Sequence, residues 1–393
     1  MLVLVSRSTR RREVGAFARR FYATGKKTTS EAKLPPRSLW RQHFPSGLKA
    51  FQHRVSIANL ATAEKVAQAF VPKGSQDKTV IEIFPGPGQL TRALLALPRS
   101  RIKKLIVMEN AEMYLKYLKP LEAVDDRITV LPIGGESWTS YQQLEELRLL
   151  EHIQTVPWDQ GVHPQLQFIS HLTSNIPGEQ LISQLIRSIP DQQWLFKYGR
   201  VPMGILLSEY IWKRIVGDTT AVRCKLSNMA AATTAFSEAV PYSMLQPYTD
   251  HFHPIPSAIN LAEREKEQKL ARPLMTGKAG NPFVAANFTP LEHQLIKPGL
   301  LHKWDYCLRH LYVNRAQPLK NALVYLAPNA QSLLKVINAP GLEPHQRVDP
   351  KTPVRQMSMN DWALLVKAFD EWPFAPEDLS ITDAIGGHEE KKG

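Results

Sequence analysis

The feature that most constrains the fold is a run of β-branched residues that ends in a Pro/Gly turn, from Thr79 to Gly88. Leucines at helical spacing follow the turn, beginning with Leu90 and Leu94. An apolar strand, a glycine loop and a helix in this order form the opening unit of an α/β nucleotide-binding domain. Glycine lets a backbone approach a ligand closely. The sequence therefore predicts ligand contact at Gly86 and Gly88, with a purely structural turn as the alternative.

Further apolar segments alternate with helical patterns as far as residue 207. The predicted strands are 102–108, 128–133, 167–173 and 203–207, with an amphipathic helix over 181–189 among them. Strands that alternate with helices indicate a parallel sheet. Later in the chain the apolar residues keep helical spacing, over 301–312, 316–326, 331–337 and 359–369.

These patterns predict two folded domains with polar segments at both ends. The predicted parts are a flexible lead-in at 23–38, an α/β domain at 39–287, a helical C-terminal domain at 288–380 and a flexible tail at 381–393. A chain of 393 residues with 43% hydrophobic residues is long enough to bury two such cores.

Composition also excludes several classes of protein. No run of 18 apolar residues occurs, so neither a membrane-spanning helix nor a membrane partner is predicted. The two cysteines, Cys224 and Cys307, lack CxxC spacing, which argues against a structural zinc site or a disulfide framework. Both are predicted to be core thiols, and no metal site is expected.

The first 22 residues are rich in arginine and nearly free of acidic residues. The arginines are Arg7, Arg10, Arg11, Arg12, Arg19 and Arg20, and the one acid is Glu13. This composition is typical of a mitochondrial transit peptide that is removed near Ala23; the alternative is a basic disordered arm that binds nucleic acid. Removal would lower the formal net charge from +13 to about +8. The charge that remains favours a polyanionic partner.

A carboxylate follows the next predicted strand. Glu109 comes directly after the apolar residues Leu105 to Met108, where it can accept both ribose hydroxyls of an adenosine; a solvent-exposed strand end is the alternative. The third glycine of a dinucleotide-binding loop is missing. S-adenosylmethionine, unlike NAD, has no pyrophosphate for such a loop to hold. The pattern therefore favours S-adenosylmethionine over NAD.

Four motifs extend the pattern over most of the chain. They are Glu82-Ile83-Phe84-Pro85-Gly86 followed by Gln89-Leu90-Thr91, then Asn175-Ile176-Pro177-Gly178, then Phe252 to Ala258, then a helical region from Leu308 to Leu323 with Asn314-Arg315. In this order they resemble the ribosomal-RNA adenine N6-dimethyltransferases and, more closely, their relatives the mitochondrial transcription factor B proteins. The resemblance implies a Rossmann-like, class I S-adenosylmethionine-dependent methyltransferase fold. Such a fold has a mostly parallel seven-stranded sheet, here with a smaller C-terminal helical domain.

The resemblance also implies roles for residues at the motif positions. In the dimethyltransferases the Asn of Asn-(Ile/Leu)-Pro-(Tyr/Phe) and the carbonyl beside Pro accept the N–H bonds of the adenine amine. The aromatic ring stacks on the flipped-out base. This implies a catalytic position at Asn175. The residues implied to bind S-adenosylmethionine are Ile57, Glu82, Gly86, Gly88, Glu109, Glu136 and Asn175.

Three positions depart from the family pattern. Gly178 stands where the family has the stacking ring, and Phe84 stands at a glycine position beside the cofactor. Gly134 stands where the family has an Asp, which Glu136 can replace only if its loop shifts. Because a misplacement of about 1 Å can cost ~100-fold in rate, we expect inefficient dimethylation and a vestigial Asn175 that either caps the following turn or keeps a cofactor contact. Retention and loss of S-adenosylmethionine both remain open.

The leading functional hypothesis is a mitochondrial transcription initiation factor derived from an RNA methyltransferase. The resemblance implies that it works in the mitochondrial matrix with the single-subunit mitochondrial RNA polymerase and holds the non-template strand of promoter DNA during melting. Nothing in the sequence demands a dimer, so a monomer is expected. The candidate nucleic-acid contacts are Trp194, Lys197, Tyr198, Arg200, Lys213, Arg214, Arg223, Lys225 and Arg315. The alternatives are a mitochondrial small-subunit rRNA adenine dimethyltransferase and a non-catalytic RNA-binding ribosome-assembly factor, both with rRNA as partner.

Overall fold

The computed structural model describes residues 32–45, 53–218, 223–255 and 280–379. The predicted transit peptide at 1–22 and the predicted tail at 381–393 lie outside these residues. Within the described ranges, no helix is both long and apolar enough to cross a bilayer. The same ranges contain no group of three or more His, Cys, Asp or Glu side chains arranged to hold a metal ion.

The centre of the molecule is a seven-stranded sheet with the order β4-β3-β2-β5-β6-β9-β7. The strands of the described residues are β1 (Ser56–Ile57), β2 (Lys78–Ile83), β3 (Ile102–Met108), β4 (Ile128–Leu131), β5 (Leu166–His171), β6 (Met203–Ser208), β7 (Thr234–Glu238), β8 (Phe252–His253) and β9 (Phe283–Pro290). Strands β2 to β6 pair in parallel, whereas β9 runs antiparallel to both β6 and β7. The predicted class I methyltransferase fold, with a mostly parallel sheet, is confirmed.

The central strands are buried on both faces. Every residue of β2, β5 and β6 is buried, as expected for parallel strands that are covered by helices above and below. The small β1–β8 pair is a separate antiparallel ribbon in which Ser56 lies opposite His253.

Helices cover both faces of the sheet. The α-helices of the described residues are α1 (Trp40–His43), α2 (Leu60–Phe70), α3 (Gln89–Leu95), α4 (Glu112–Leu118), α5 (Trp138–Glu146), α6 (Ile176–Arg187), α7 (Glu209–Val216), α8 (Lys225–Thr233), α9 (Tyr248–His251), α10 (Leu301–Leu311), α11 (Leu319–Ala322), α12 (Leu334–Ile337) and α13 (Met359–Asp370). Several begin at side chains that accept a backbone N–H, as Asn59, Ser208 and Ser358 do. The predicted helix over 316–326 is instead α11 followed by a 3₁₀ turn.

The C-terminal helices share one hydrophobic core with a face of the sheet. Trp304 and Trp362 belong to the same cluster of buried residues as Phe168 of β5. The indole N–H of Trp304 also donates a 2.9 Å hydrogen bond to Asn228 Oδ1 on α8. The helical region is therefore packed onto the α/β part through a continuous apolar interface.

The predicted boundary between residues 287 and 288 falls inside a strand. Phe288 pairs with Met203 of β6 and with Phe236 of β7, so the sheet continues to Pro290 and the first C-terminal helix starts at Leu301. This strand, β9, has eight residues, several of them small or polar. Its sequence therefore lacks the alternation of apolar and polar residues that would have predicted a strand.

Part of the predicted flexible lead-in is packed. The carbonyl of Ala32 accepts two hydrogen bonds from the Arg92 guanidinium, at 2.8 and 3.2 Å. The indole of Trp40 donates to the carbonyl of Pro35 at 3.0 Å and is 2% exposed. Two residues of the predicted lead-in, Ala32 and Pro35, therefore make contacts with the folded part of the chain.

Candidate functional site

The carboxyl ends of the parallel strands bring the predicted site residues to one edge of the sheet. Glu82 lies on β2, Glu109 directly follows β3, Glu136 follows β4 and Asn175 follows β5. In open parallel sheets this edge is where ligands bind. The fold therefore places these four predicted site residues along one edge of the sheet.

The glycine loop has the backbone shape that requires glycine, but protein atoms occupy the adjacent space. Gly86 and Gly88 have φ values of 60° and 88°, a region that residues with a side chain rarely adopt. A Cβ on Gly86 would lie 2.1 Å from Ser56 Oγ, and one on Gly88 would lie 2.5 Å from a methyl group of Leu118. The loop is thus packed closely against side chains of β1 and α4.

Glu82 is a buried carboxyl group beside this loop. It is 1% exposed, and among the described residues neither of its oxygens has a hydrogen-bond partner of good geometry. Burial raises the pKa of Glu82 to about 8, against smaller opposing effects of the Thr91 hydroxyl and the Arg92 guanidinium. The side chain is therefore mainly protonated at neutral pH.

Glu109, the predicted ribose ligand, is bound by an arginine of the same chain. The Arg54 guanidinium reaches both carboxylate oxygens, with Nη1 at 3.3 Å from Oε1 and Nη2 on Oε2. Oε1 also accepts the backbone N–H of Ala111 at 3.0 Å. Glu109 is fully buried and the side chain of Arg54 is 9% exposed, so the ion pair is shielded from solvent.

Two aromatic rings flank the same guanidinium. The Arg54 carbon Cζ lies 5.1 Å from the ring centroid of Phe84 and 5.3 Å from that of Tyr114. Phe84 has φ of 55°, which is strained for an aromatic residue. Its ring is predicted to crowd the cofactor, and in the structure it packs against the Arg54 guanidinium and belongs to the hydrophobic core.

The loop after β4 brings a carboxylate to the position of the missing Asp. A Cβ on Gly134 would lie 2.3 and 2.4 Å from the two carboxylate oxygens of Glu136. Glu136 therefore folds back over Gly134 and occupies the space that a side chain at 134 would fill.

On the acceptor side, Asn175 is the N-cap of α6. Its Oδ1 accepts the backbone N–H of Gly178 at 3.0 Å and the hydroxyl of Thr173 at 2.7 Å. Pro177 lies in the first turn, a position that suits proline because no helical hydrogen bond is lost. The amide oxygen of Asn175 thus already accepts two hydrogen bonds from within the chain.

Gly178 has no room for a side chain in this arrangement. A Cβ there would lie 2.0 Å from the carbonyl oxygen of Thr173 and 2.8 Å from its hydroxyl. The ring that the family places at this position would need a different path of the loop. The adjacent Glu179 forms an ion pair with Arg214, whose guanidinium lies 5.6 Å from the ring centroid of Tyr210.

The comparisons with known proteins agree with this architecture. The family model for ribosomal RNA adenine dimethylase matches residues 42–268, more than half of the chain. The chain belongs to the ribosomal RNA adenine dimethylase family. The resemblance inferred from the motifs is therefore confirmed, and S-adenosylmethionine is the cofactor of this family.

Relatives of two kinds are similar over most of the chain. Mitochondrial transcription factor 1 of Lachancea kluyveri is 22% identical over 303 residues, which are 76% of this chain and 82% of the relative. The mitochondrial dimethyladenosine transferase 1 of Vermamoeba vermiformis is 21% identical over 330 residues, 77% of this chain and 84% of the relative. Among solved structures, the 23S rRNA methyltransferase ErmE covers 80% of this chain and 99% of its own, with 12% identity and a TM-score of 0.46.

Binding of S-adenosylmethionine in this family member would require free acceptor groups for the ribose of the cofactor. The acid that would accept the ribose hydroxyls is Glu109, and both of its oxygens are bonded to Arg54. The guanidinium also contacts the rings of Phe84 and Tyr114. In this arrangement the residues present do not fit the cofactor.

The predicted nucleic-acid contacts form two groups in this family member. In the first, Lys197 and Tyr198 bind Glu145 of α5, and Arg200 pairs with Glu292 at 3.1 Å. Trp194 is held edge-to-face by its aromatic neighbours, among them Tyr141 at 5.0 Å and Phe168 at 4.9 Å. Trp194 and Lys197 line a cavity of about 400 Å³.

The second group lies beside α6, α8 and α10. Arg214 and Lys225 line a cavity of about 390 Å³ together with Glu179, Arg187, Asp305 and Arg309. Arg315 donates a 3.1 Å hydrogen bond to the carbonyl of Arg223 at the rim of a smaller cavity. Lys213 pairs with Glu209 at 3.0 Å on the exposed side of α7.

Sequence reasoning missed three arginines of these sites. Arg187 lines both the 400 Å³ and the 390 Å³ cavity and pairs with Asp305 of α10, and Arg309 lines the second of these cavities. The position of Arg187 in the last turn of α6, on the amphipathic helix predicted next to the acceptor motif, was a usable signal. No local pattern indicates the pairing of Arg54, because its partner is 55 residues away in sequence.

Proposed function

We propose that this protein is a mitochondrial transcription initiation factor that no longer methylates RNA efficiently. It acts as a monomer in the mitochondrial matrix, where it helps the single-subunit mitochondrial RNA polymerase to recognise and melt promoters. The similarity to proteins named mitochondrial transcription factor 1 over about three quarters of the chain supports this assignment.

The observation that carries the proposal is the geometry of the acceptor motif. The Asn175 oxygen caps α6, and the carbonyl of Thr173 fills the space beside Gly178. A methyl acceptor would lose both its amide partner and a stacking ring, and stacking alone contributes roughly 1–3 kcal/mol per base. Since near-attack geometry tolerates little error, this arrangement disfavours adenine dimethylation.

The second cavity provides a surface that suits an unpaired strand. Four cationic side chains line it, namely Arg187, Arg214, Lys225 and Arg309, against the two acids Glu179 and Asp305. Apolar side chains of α8 and α10, Leu226, Met229 and Leu308, line it as well. A positively charged groove can follow the backbone of a single strand with little sequence preference.

Transcription with purified components tests the proposal. The full chain is added to its cognate mitochondrial RNA polymerase on a duplex promoter and on the same promoter melted in advance around the start site. We expect the protein to raise specific initiation on the duplex at least about 10-fold. On the melted template this stimulation should be smaller, because melting is then no longer required.

Other outcomes would assign another function. Incorporation of methyl groups into an adenine hairpin of small-subunit rRNA, without an effect on the polymerase, would make the protein a dimethyltransferase. Co-purification with the small ribosomal subunit, with neither activity, would make it an assembly factor. Either result would overturn the proposal.

A further inference from the structure

We propose that Arg54 is a built-in occupant of the nucleoside position in the ancestral cofactor pocket, so that the protein does not bind S-adenosylmethionine while Arg54 is in place. The inference concerns the cofactor side of the site and is tested without transcription. Its failure and the failure of the proposed function are therefore separate results.

The first support is the bonding of Glu109. Its two oxygens accept from the two terminal nitrogens of Arg54, and Oε1 accepts from the Ala111 backbone as well. A ribose diol would need the same oxygens. The planar guanidinium presents paired donors with the spacing of a carboxylate, and it therefore uses the acceptor sites that a nucleoside would require.

The second support is the aromatic sandwich around the cation. The Phe84 and Tyr114 ring centroids lie 5.1 and 5.3 Å from Cζ of Arg54. Arginine is more weakly hydrated than an ammonium group and packs flat on aromatic rings. Phe84, which stands at a family glycine position, thus acts together with Arg54: the ring narrows the pocket and the cation packs against it.

The third support is the way the segment around Arg54 is held. The carbonyl of His53 accepts the backbone N–H of Ser174 at 2.9 Å, next to the acceptor motif. Ser56 of β1 pairs with His253 of β8 and abuts Gly86. Arg54 lies between these two attachments, so its backbone is held at the position from which its side chain reaches Glu109.

The charges around Arg54 also favour its position beside Glu109. Glu136, folded over Gly134, adds a second negative charge that acts on Arg54, although Glu109 contributes more. S-adenosylmethionine carries a positively charged sulfonium. In this pocket Arg54 already supplies the positive charge near Glu109 and Glu136. A ligand that displaced Arg54 would have to break a buried ion pair, which is unfavourable.

Binding of S-adenosylmethionine and S-adenosylhomocysteine to the full chain tests the inference. Calorimetry and thermal unfolding are run on the wild type and on Arg54→Ala. For the wild type we expect no binding heat and no shift of Tm at about 1 mM ligand. For Arg54→Ala we expect a lower Tm without ligand, binding at least about 10-fold tighter than in the wild type, and a ligand-dependent rise of Tm.

A matched control separates pocket opening from general loosening. Arg127 is also a buried arginine, paired with Asp125 at 2.8 Å at the opposite end of the sheet strands. Arg127→Ala should lower Tm but leave the protein unable to bind either ligand. If Arg54→Ala fails to fold, Arg54→Gln replaces it, because glutamine keeps one amide donor toward Glu109. The same increase in ligand binding and the same ligand-dependent rise of Tm are then expected.

Two results would overturn the inference. Micromolar binding of S-adenosylmethionine by the wild type would show that Arg54 does not occupy the pocket in solution. A folded Arg54 variant that still fails to bind either ligand would show that other groups close the site.

Discussion

At the scale of single residues, most polar groups of the site face partners within the chain. Glu109 is bonded to Arg54, and the Asn175 oxygen caps α6. Glu82 differs, because its buried carboxyl group has no partner of good geometry among the described residues. A buried carboxyl without a partner favours its neutral form, and this makes the stability of the protein depend on pH.

The substitution Glu82→Gln tests that dependence. Burial raises the pKa of Glu82 from its ordinary value of 4.5 to about 8 in the folded chain. Between these two values the folded state keeps a proton that the unfolded state releases, so the free energy of unfolding falls as pH rises, by up to about 1.4 kcal/mol per pH unit. Glutamine removes this slope. In urea unfolding we expect the variant and the wild type to differ little at about pH 5, and the variant to be more stable by about 3 kcal/mol at about pH 7.5.

Glu151→Gln is the matched control. The Glu151 side chain is 66% exposed and pairs loosely with Arg148 at 3.8 Å, so its removal should leave the pH dependence as in the wild type. Parallel stability curves for the wild type and Glu82→Gln over this pH range would contradict the prediction.

At the scale of elements, the contact between α8 and α10 joins the α/β part to the helical region. Trp304 is 1% exposed, and its indole N–H is satisfied by Asn228, which is itself 5% exposed. Asn228 also lines a small cavity together with Tyr312. The buried amide of Asn228 therefore holds Trp304 of the helical region through its indole N–H.

We predict that Asn228→Ala destabilises the protein by about 2–3 kcal/mol, because the indole donor would lose its partner inside the core. Chemical denaturation followed by tryptophan fluorescence measures the effect. Asn321→Ala, at an exposed position of α11, is the control and should change stability by less than about 0.5 kcal/mol. Equal effects of the two substitutions would mean that the Trp304 contact is not significant.

At the scale of the whole molecule, charge distribution matters more than any single pair. The formal net charge is +13, and several cations line the cavity between α6, α8 and α10. Arg214 is partly engaged by Glu179, whereas Lys225 is exposed. A cluster of this kind contributes through the release of counterions from a bound strand.

Neutralising Arg214, Arg223 and Lys225 together, each to Gln, should weaken binding of single-stranded DNA. The slope of log affinity against log salt should become smaller by about 2, since each phosphate contact on a single strand contributes roughly 0.7. Fluorescence anisotropy at several salt concentrations measures both quantities. The control neutralises Lys73, Arg99 and Lys103, which are exposed near the amino ends of β2 and β3. This control variant loses the same amount of positive charge. If the two triple variants gave the same slope, net charge and not the position of these three cations would govern binding.

The fold was largely predictable because it depends on local patterns. The strand at 102–108 has the predicted bounds, and the helix predicted over 359–369 is α13 with one more residue. The boundary at 287/288 was not predictable, since β9 has the small residues Ala285 and Ala286 where alternation would have indicated a strand. Helical periodicity and apolar runs report whether an element is buried, but they do not report its neighbours.

The sequence by itself determined the alternation of strands and helices as far as residue 207, and its motifs pointed to the family and to Glu82, Glu109, Glu136 and Asn175 as candidate site residues. The alternation follows from apolar periodicity and the family from motif spacing, which are properties of short segments. Only the tertiary structure decided what those side chains bind: Arg54 on Glu109, Glu136 over Gly134, and the Asn175 oxygen at the start of α6. The reason is physical, because an ion pair or a steric conflict depends on distances in space between residues that no local pattern connects.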